Sequence, residues 1–139
     1  MARKFAGRDY VVSKLEGLWW NPEQGGRSAA KKVWNWQLMI RTPDFITPAE
    51  VRKTKAALLK KGKPPTITKV NLVKLNEGRC VQMLHVGPYD QEQPTMDAMF
   101  AFAAEKGLSV RGKHHEIYLS DPRLVIPSRR LTLLRYSLG

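Results

Sequence analysis

The sequence predicts an α+β fold, an antiparallel sheet carrying two helices. Three patterns point to it. Trp34, Trp36, Leu38 and Ile40 alternate with Asn35, Gln37 and Met39, which is the period of two of a half-buried strand. Thr47-Pro48-Ala49-Glu50 is a capping box with proline at the first helical position. Met96, Met99, Phe100 and Ala103 fall at i, i+3, i+4 and i+7, one core-facing helical stripe.

The elements follow in order. Asp9–Trp20 and Val33–Arg41 are rich in β-branched and aromatic residues and read as two strands. The stretch between them, with Asn21-Pro22 and Gly25-Gly26 as breakers, reads as the long turn of a hairpin. The first helix runs from its capping box to about Lys61, where Gly62 and Pro64-Pro65 stop it. Its larger apolar residues are Val51, Leu58 and Leu59, with Ala56 beside them, and Arg52, Lys53, Lys55, Lys60, Lys61 and Lys63 crowd its surface and end, so it is expected to be shallowly buried. A second hairpin is expected to pair Lys69–Leu75 with Arg79–Val86 across Asn76-Glu77-Gly78, glycine supplying the left-handed turn residue. The second helix spans Pro94–Lys106 and stops at Gly107. Strands over His114–Leu119 and Leu131–Leu138 complete the order ββ–α–ββ–α–ββ.

At 139 residues the chain is expected to form one domain over 1–139, by the usual size of about 100–200 residues. An apolar content of 42% is enough for a packed core and argues against a disordered chain. No apolar run approaches the ~20 residues of a membrane-crossing helix. Met1-Ala2-Arg3-Lys4-Phe5 is basic with no apolar stretch behind it, which argues against a secretory signal. A single cysteine, Cys80, excludes an intrachain disulfide and a cysteine-based zinc site, and a cytoplasmic location is expected. A formal net charge of +12 raises nucleic acid as a partner. No helix-turn-helix, zinc finger or RNA-binding motif accompanies that charge, so such binding is expected to be weak, non-specific and salt-sensitive.

No phosphate loop, zinc-protease spacing or nucleophile elbow is present, and no cofactor or metal is expected. His114-His115-Glu116-Ile117-Tyr118-Leu119 is the most informative segment. Alternation puts His114, Glu116 and Tyr118 on one face and His115, Ile117 and Leu119 on the other. If its face is wet, Glu116 is simply solvated. If it lies in an apolar pocket, it is costly to ionise without a partner and suits an amine-bearing ligand or general-base work. The four tryptophans, Trp19, Trp20, Trp34 and Trp36, flank the first hairpin. They are core residues or the flat walls of a cavity for planar or cationic ligands, which Met39 and Met83 would also line. His85 is a candidate acid or, more simply, a structural hydrogen-bond partner, and Tyr89 follows Gly87-Pro88 at a candidate pocket mouth.

Four motifs together resemble the GyrI-like small-molecule-binding family. They are Leu15-Glu16-Gly17-Leu18-Trp19-Trp20, Trp34-x-Trp36-x-Leu38-Met39-Ile40-Arg41, Cys80–Asp90 with its Leu84-His85-Val86-Gly87-Pro88-Tyr89 core, and His114–Pro122. Within the family they are similar to the stand-alone members that include cyclopropanoid cyclopropyl hydrolases. The resemblance implies two β–α–β–β modules related by a pseudo-two-fold axis with a ligand pocket between them. It implies a mid-strand glutamate at the pocket floor, matched by Glu116, and an aromatic cage drawn from Trp19, Trp20, Trp36, Tyr89 and Tyr118. In the hydrolases such a cage holds a DNA-alkylating drug while water opens its cyclopropane ring. Glu116, Tyr118 and Tyr89 are then the expected catalytic residues, and Trp19, Trp20, Trp36, Met39, Met83 and His85 the expected ligand contacts. A drug sensor or sequestering protein without chemistry, or a basic gyrase- or nucleic-acid-associated protein, is the alternative. Family members begin with a strand and a helix ahead of the segment matching Asp9–Trp20, so the first module is expected to lack them. A homodimer is expected to cover the sheet face left open.

Overall fold

The computed structural model describes residues 2–5, 8–21 and 34–139, with the side chains of 2–5 left aside. The chain divides into two compact units, Met1–Ser13 with Arg41–Asn76, and Lys14–Ile40 with Glu77–Gly139.

The first unit holds a two-stranded antiparallel hairpin, β1 (Ala2–Phe5) and β2 (Arg8–Val11), and helix α1 (Pro48–Lys60). The capping box is formed in both directions: Thr47 N donates to Glu50 Oε2 at 2.8 Å and Glu50 N to Thr47 Oγ1 at 3.3 Å. No residue of α1 is buried, as its basic surface predicts. Lys55 Nζ donates to the carbonyls of Thr68 (3.0 Å) and Val70 (2.6 Å), tying the helix to the 3-10 turn at Pro65–Lys69. Tyr10 meets Phe45 edge-on at 5.9 Å, and Arg8 lies 5.2 Å from the same ring.

The second unit is a five-stranded antiparallel sheet with helix α2 (Gln93–Glu105). Its strands are β3 (Leu15–Trp20), β4 (Asn35–Ile40), β5 (Cys80–Val86), β6 (Val110–Tyr118) and β7 (Leu131–Leu138), in the order β4-β3-β6-β7-β5. The core lies where the α2 stripe meets β5 and β7. Met99 and Ala103 pack with Val81, Leu134, Tyr136 and Leu138, and Met96 and Phe100 close over them. Fully burying side chains such as Met99 and Leu134 contributes about 1.5–3 kcal/mol each. The helix ends in a Schellman turn, with Leu108 N on Ala103 O and Gly107 N on Ala104 O, both at 2.9 Å. Gly107 takes the left-handed φ of 70° that this turn requires.

Two expectations need correction. Asp9–Trp20 is not one strand. It splits at the unit boundary into β2, which pairs with β1, and β3, which pairs with β4 and β6. The hairpin of Lys69–Leu75 with Arg79–Val86 does not form. Gly78 does take a left-handed φ of 65°, yet residues 70–78 contain no strand, and β5 pairs along its whole length with β7, from Cys80 opposite Ser137 to Val86 opposite Leu131. Glu77 of the expected turn is instead bonded to His115 and Arg135 of the sheet. The long turn between β3 and β4 lies mostly outside the described residues. No described helix is long and apolar enough to cross a membrane.

Candidate functional site

The site is built on β6. This strand is irregular near its start, where Arg111 pairs with Ser137 but His115 already pairs with Arg135. Gly112 sits in that irregularity with a φ of 75°, and bulges of this kind re-aim the side chains that follow. Beyond it the strand is regular. Glu116 stands opposite Gly17 of β3 and Leu134 of β7, and His114 opposite Trp19.

Glu116 is only 1% exposed. The Tyr118 hydroxyl donates to its Oε2 at 2.7 Å, the length of a charge-assisted bond to a carboxylate. His114 Nε2 is 2.8 Å from its Oε1. Trp19 Nε1–H in turn donates to the Tyr118 oxygen at 3.1 Å. Burial pushes the Tyr118 phenol well above its ordinary range; the Glu116 charge and hydrogen bond add to that, and the Trp19 donor opposes it. Tyr89 meets Tyr118 edge-on at 6.0 Å, and the Arg130 guanidinium lies 5.1 Å from the Tyr89 ring.

Gly17 makes this arrangement fit. A Cβ at that position would stand 2.8 Å from Trp19 Nε1 and 3.1 Å from the Tyr118 oxygen. Glycine is what lets the indole fold back along β3 to reach the phenol. Gly17→Ala is expected to separate Trp19 from Tyr118 and to cost about 1–3 kcal/mol of stability, as overpacking does. Urea unfolding and a red shift of tryptophan emission check it, and unchanged values in both would refute it.

Glu92, just ahead of α2, completes the cluster. It is buried, with its Oε2 3.7 Å from His114 Nε2. Glu92, His114 and Glu116 each bring one donor atom within 4.8 Å of the others, and among the described residues they are the group whose composition suits a cation. The spacing decides what kind. Ligands held at ~2.0–2.1 Å from one zinc ion stand more than about 3 Å apart. The 2.8 Å between His114 and Glu116 is a hydrogen bond.

A second network occupies the opposite face of the sheet. His115, 1% exposed, places Nε2 2.8 Å from Glu16 Oε1 and Nδ1 2.9 Å from both oxygens of Glu77. Arg135 adds a 3.1 Å bond to Glu77 and another to Gln82. Both ring nitrogens of His115 thus face carboxylate oxygens.

The structure brings Glu116, Tyr118, Tyr89 and Trp19 together. Trp36 stands opposite Trp19 in register and is 60% exposed. Trp20 alternates onto the other face, where Lys113 lies 3.7 Å from its ring. Met39 pairs with Glu16 on that same face. Met83 shares the Glu116 face but lies two strands away on β5, opposite Leu134. His85 is buried and committed: Nε2 contacts the Pro88 carbonyl and Nδ1 the Thr95 hydroxyl, both at 2.9 Å, the structural role that its strand-end position allows. Sequence reasoning put His114 on the right face but gave it no role, and it passed over Glu92. The available signal for Glu92 was an acidic residue two positions ahead of Pro94, at the N-cap of α2.

The family model for the GyrI-like small molecule binding domain matches residues 3–132. The chain belongs to the GyrI-like family. This GyrI-like chain is also similar to solved structures from Listeria innocua. One is an uncharacterized conserved protein, 38% identical with a TM-score of 0.89, the match covering 96% of this chain and 67% of that one. Two are hydrolases, 36% and 37% identical, each with a TM-score of 0.85 over 99% of this chain and 68% and 69% of theirs. No curated protein matches the chain.

Proposed function

We propose that this GyrI-like chain binds planar or cationic aromatic molecules against Glu116 and hydrolyses cyclopropane-bearing electrophiles of the DNA-alkylating class. The observation that carries the reading is a buried mid-strand carboxylate, 1% exposed, hydrogen-bonded to Tyr118 with Trp19 and Tyr89 around that phenol. The two similar Listeria structures named as hydrolases support it. In the proposed step a water oxygen bonds to the strained ring carbon and the carbon–carbon bond of the cyclopropane breaks. Its electron pair moves through the conjugated dienone onto the carbonyl oxygen. Glu116 takes the proton of the attacking water. The Tyr118 proton is already directed at Glu116, so Tyr89 is assigned the donor that stabilises the developing oxyanion. Turnover of such a drug by the purified protein, followed by mass spectrometry as the addition of one water, tests the reading. Binding with the drug returned unaltered would make the protein a sequestering one, and no binding would end the reading.

We also place a homodimer in this reading, in a cytoplasmic setting. Leu15, Trp36, Leu38 and Ile40 share the Glu116 face at the β4 edge of the sheet and are 41%, 60%, 49% and 49% exposed. Apolar side chains left open together in this way favour a protein contact, and a second copy would also wall the site beside Trp19. Leu38→Lys is expected to shift the dimer to monomer in light scattering and to weaken ligand binding with it. A wild type that is monomeric at micromolar concentration would overturn this.

A further inference from the structure

We propose that Arg130 is the second pole of the site, a guanidinium that receives the ligand oxygen on which negative charge develops. The ligand class is then a neutral planar carbonyl compound convertible to an enolate or phenolate, and not a permanent cation. That ligand class rests on the function proposed above, whereas the anion-receiving role of Arg130 does not.

Arg130 leads into β7 with extended backbone, φ −62° and ψ 137°. Leu134 and Thr132 of β7 stand opposite Glu116 and Tyr118, and alternation from them puts Arg130 on the Glu116 face. Its carbonyl accepts from Gly87 N at 2.9 Å, which carries the pairing of β5 with β7 one step past Val86 and brings the Gly87-Pro88-Tyr89 segment alongside. The guanidinium carbon then lies 5.1 Å from the centre of the Tyr89 ring, and that ring meets Tyr118 edge-on at 6.0 Å. Glu116 is one hydrogen bond further on.

The Arg130 side chain is only partly satisfied. Nε is buried and makes no hydrogen bond, and Nη2 reaches the Pro122 carbonyl at 3.4 Å, longer than the usual ~3.2 Å limit. No carboxylate pairs with it among the described residues. Asp121, next to Pro122, is taken through both oxygens by Arg123, at 3.0 and 2.7 Å. Stacking on an aromatic face answers the charge of a guanidinium but leaves its in-plane N–H groups unanswered. A buried donor of a charged group without an acceptor is unfavourable, and the guanidinium fork suits an oxygen with lone pairs to spare. Here that oxygen arrives with the ligand.

Glu116 and Arg130 give the site a direction. Four residues of β7, about 13 Å of strand, separate Arg130 from the position opposite Glu116. A planar ligand between them has its electrophilic carbon at the carboxylate and its carbonyl oxygen at the guanidinium, where Arg130 joins Tyr89 as a donor. A permanently cationic ring at that end meets like charge instead.

The test uses 4-nitrophenolate as an anionic probe, 4-nitroanisole as its uncharged counterpart and ethidium as a cation. Arg130→Gln should weaken 4-nitrophenolate binding about 10–100-fold, the loss of a hydrogen bond to a charged group, while 4-nitroanisole binding is unchanged and ethidium binding is equal or tighter. A residue that only stacks on Tyr89 and shapes the wall would move all three probes alike. Equal losses, or no loss for the phenolate, would overturn the proposal. A second measurement uses the wild type alone. Followed by absorbance, bound 4-nitrophenol should ionise at a lower pH than the free phenol, because the guanidinium favours its anion. Ionisation at the same or a higher pH, or no binding of the phenolate, would also overturn it. Turnover separates this inference from the hydrolase reading. A protein that binds the phenolate through Arg130 and leaves the drug intact ends the hydrolase reading alone, and drug opened by Arg130→Gln at the wild-type kcat ends this inference alone.

Discussion

Glu116→Gln should lower turnover of a cyclopropane-bearing drug by about 10²–10⁴-fold, the range general-base groups contribute. Glutamine keeps the volume and still accepts from Tyr118, but its amide nitrogen is then turned toward His114 and the buried pair is broken, so the melting temperature is expected to fall and circular dichroism is used to check that the variant is folded. The loss should lie in kcat, because water activation matters at the transition state and less in ground-state binding. Unchanged turnover in a folded variant would remove Glu116 from the mechanism, and with it the proposed reaction.

His115→Ala should be the most destabilising single change in the second network. It strands the Glu16 and Glu77 carboxylates around a void, and breaking a buried ion pair by removing one partner costs about 3–5 kcal/mol. The lower end is expected, since Glu16 and Glu77 keep 17% and 15% of their side chains in contact with water. The midpoint of urea unfolding measures it. Replacing Glu16, His115 and Glu77 together by leucine should cost less than the single change, because no carboxylate is then left facing a void, and Arg135, 27% exposed, keeps water and Gln82. A single variant as stable as the wild type would show that the clamp carries no net stability.

Much of the fold was legible because its signals are local. The capping box at Thr47 and the stripe of Met96, Met99, Phe100 and Ala103 are written within a few turns of chain, and both helices stand where those signals put them. The alternation through His114–Tyr118 likewise assigned the two faces of β6 correctly. What failed depends on distant partners. Val70, Leu72, Val73 and Leu75 look like a strand, yet they stay exposed and form no ladder; β5 pairs instead with β7, far along the sequence. The site shows the same limit. Tyr118 and Trp19 are 99 residues apart and meet through a glycine whose reason is visible only once the indole is seen folded over it. Glu92 gains its meaning from His114, which no spacing rule connects to it.

The two adjacent histidines of β6 point to opposite faces, and each ring is gripped by acidic side chains anchored elsewhere, Glu92 beside one and Glu16 and Glu77 around the other. Sliding this strand by a single residue would swap which face each ring occupies and break both grips at once. The native register is thus the one in which both rings meet their acidic partners. This adds a polar penalty to the apolar one for any such slip, in favour of the register in which position 116 faces Gly17.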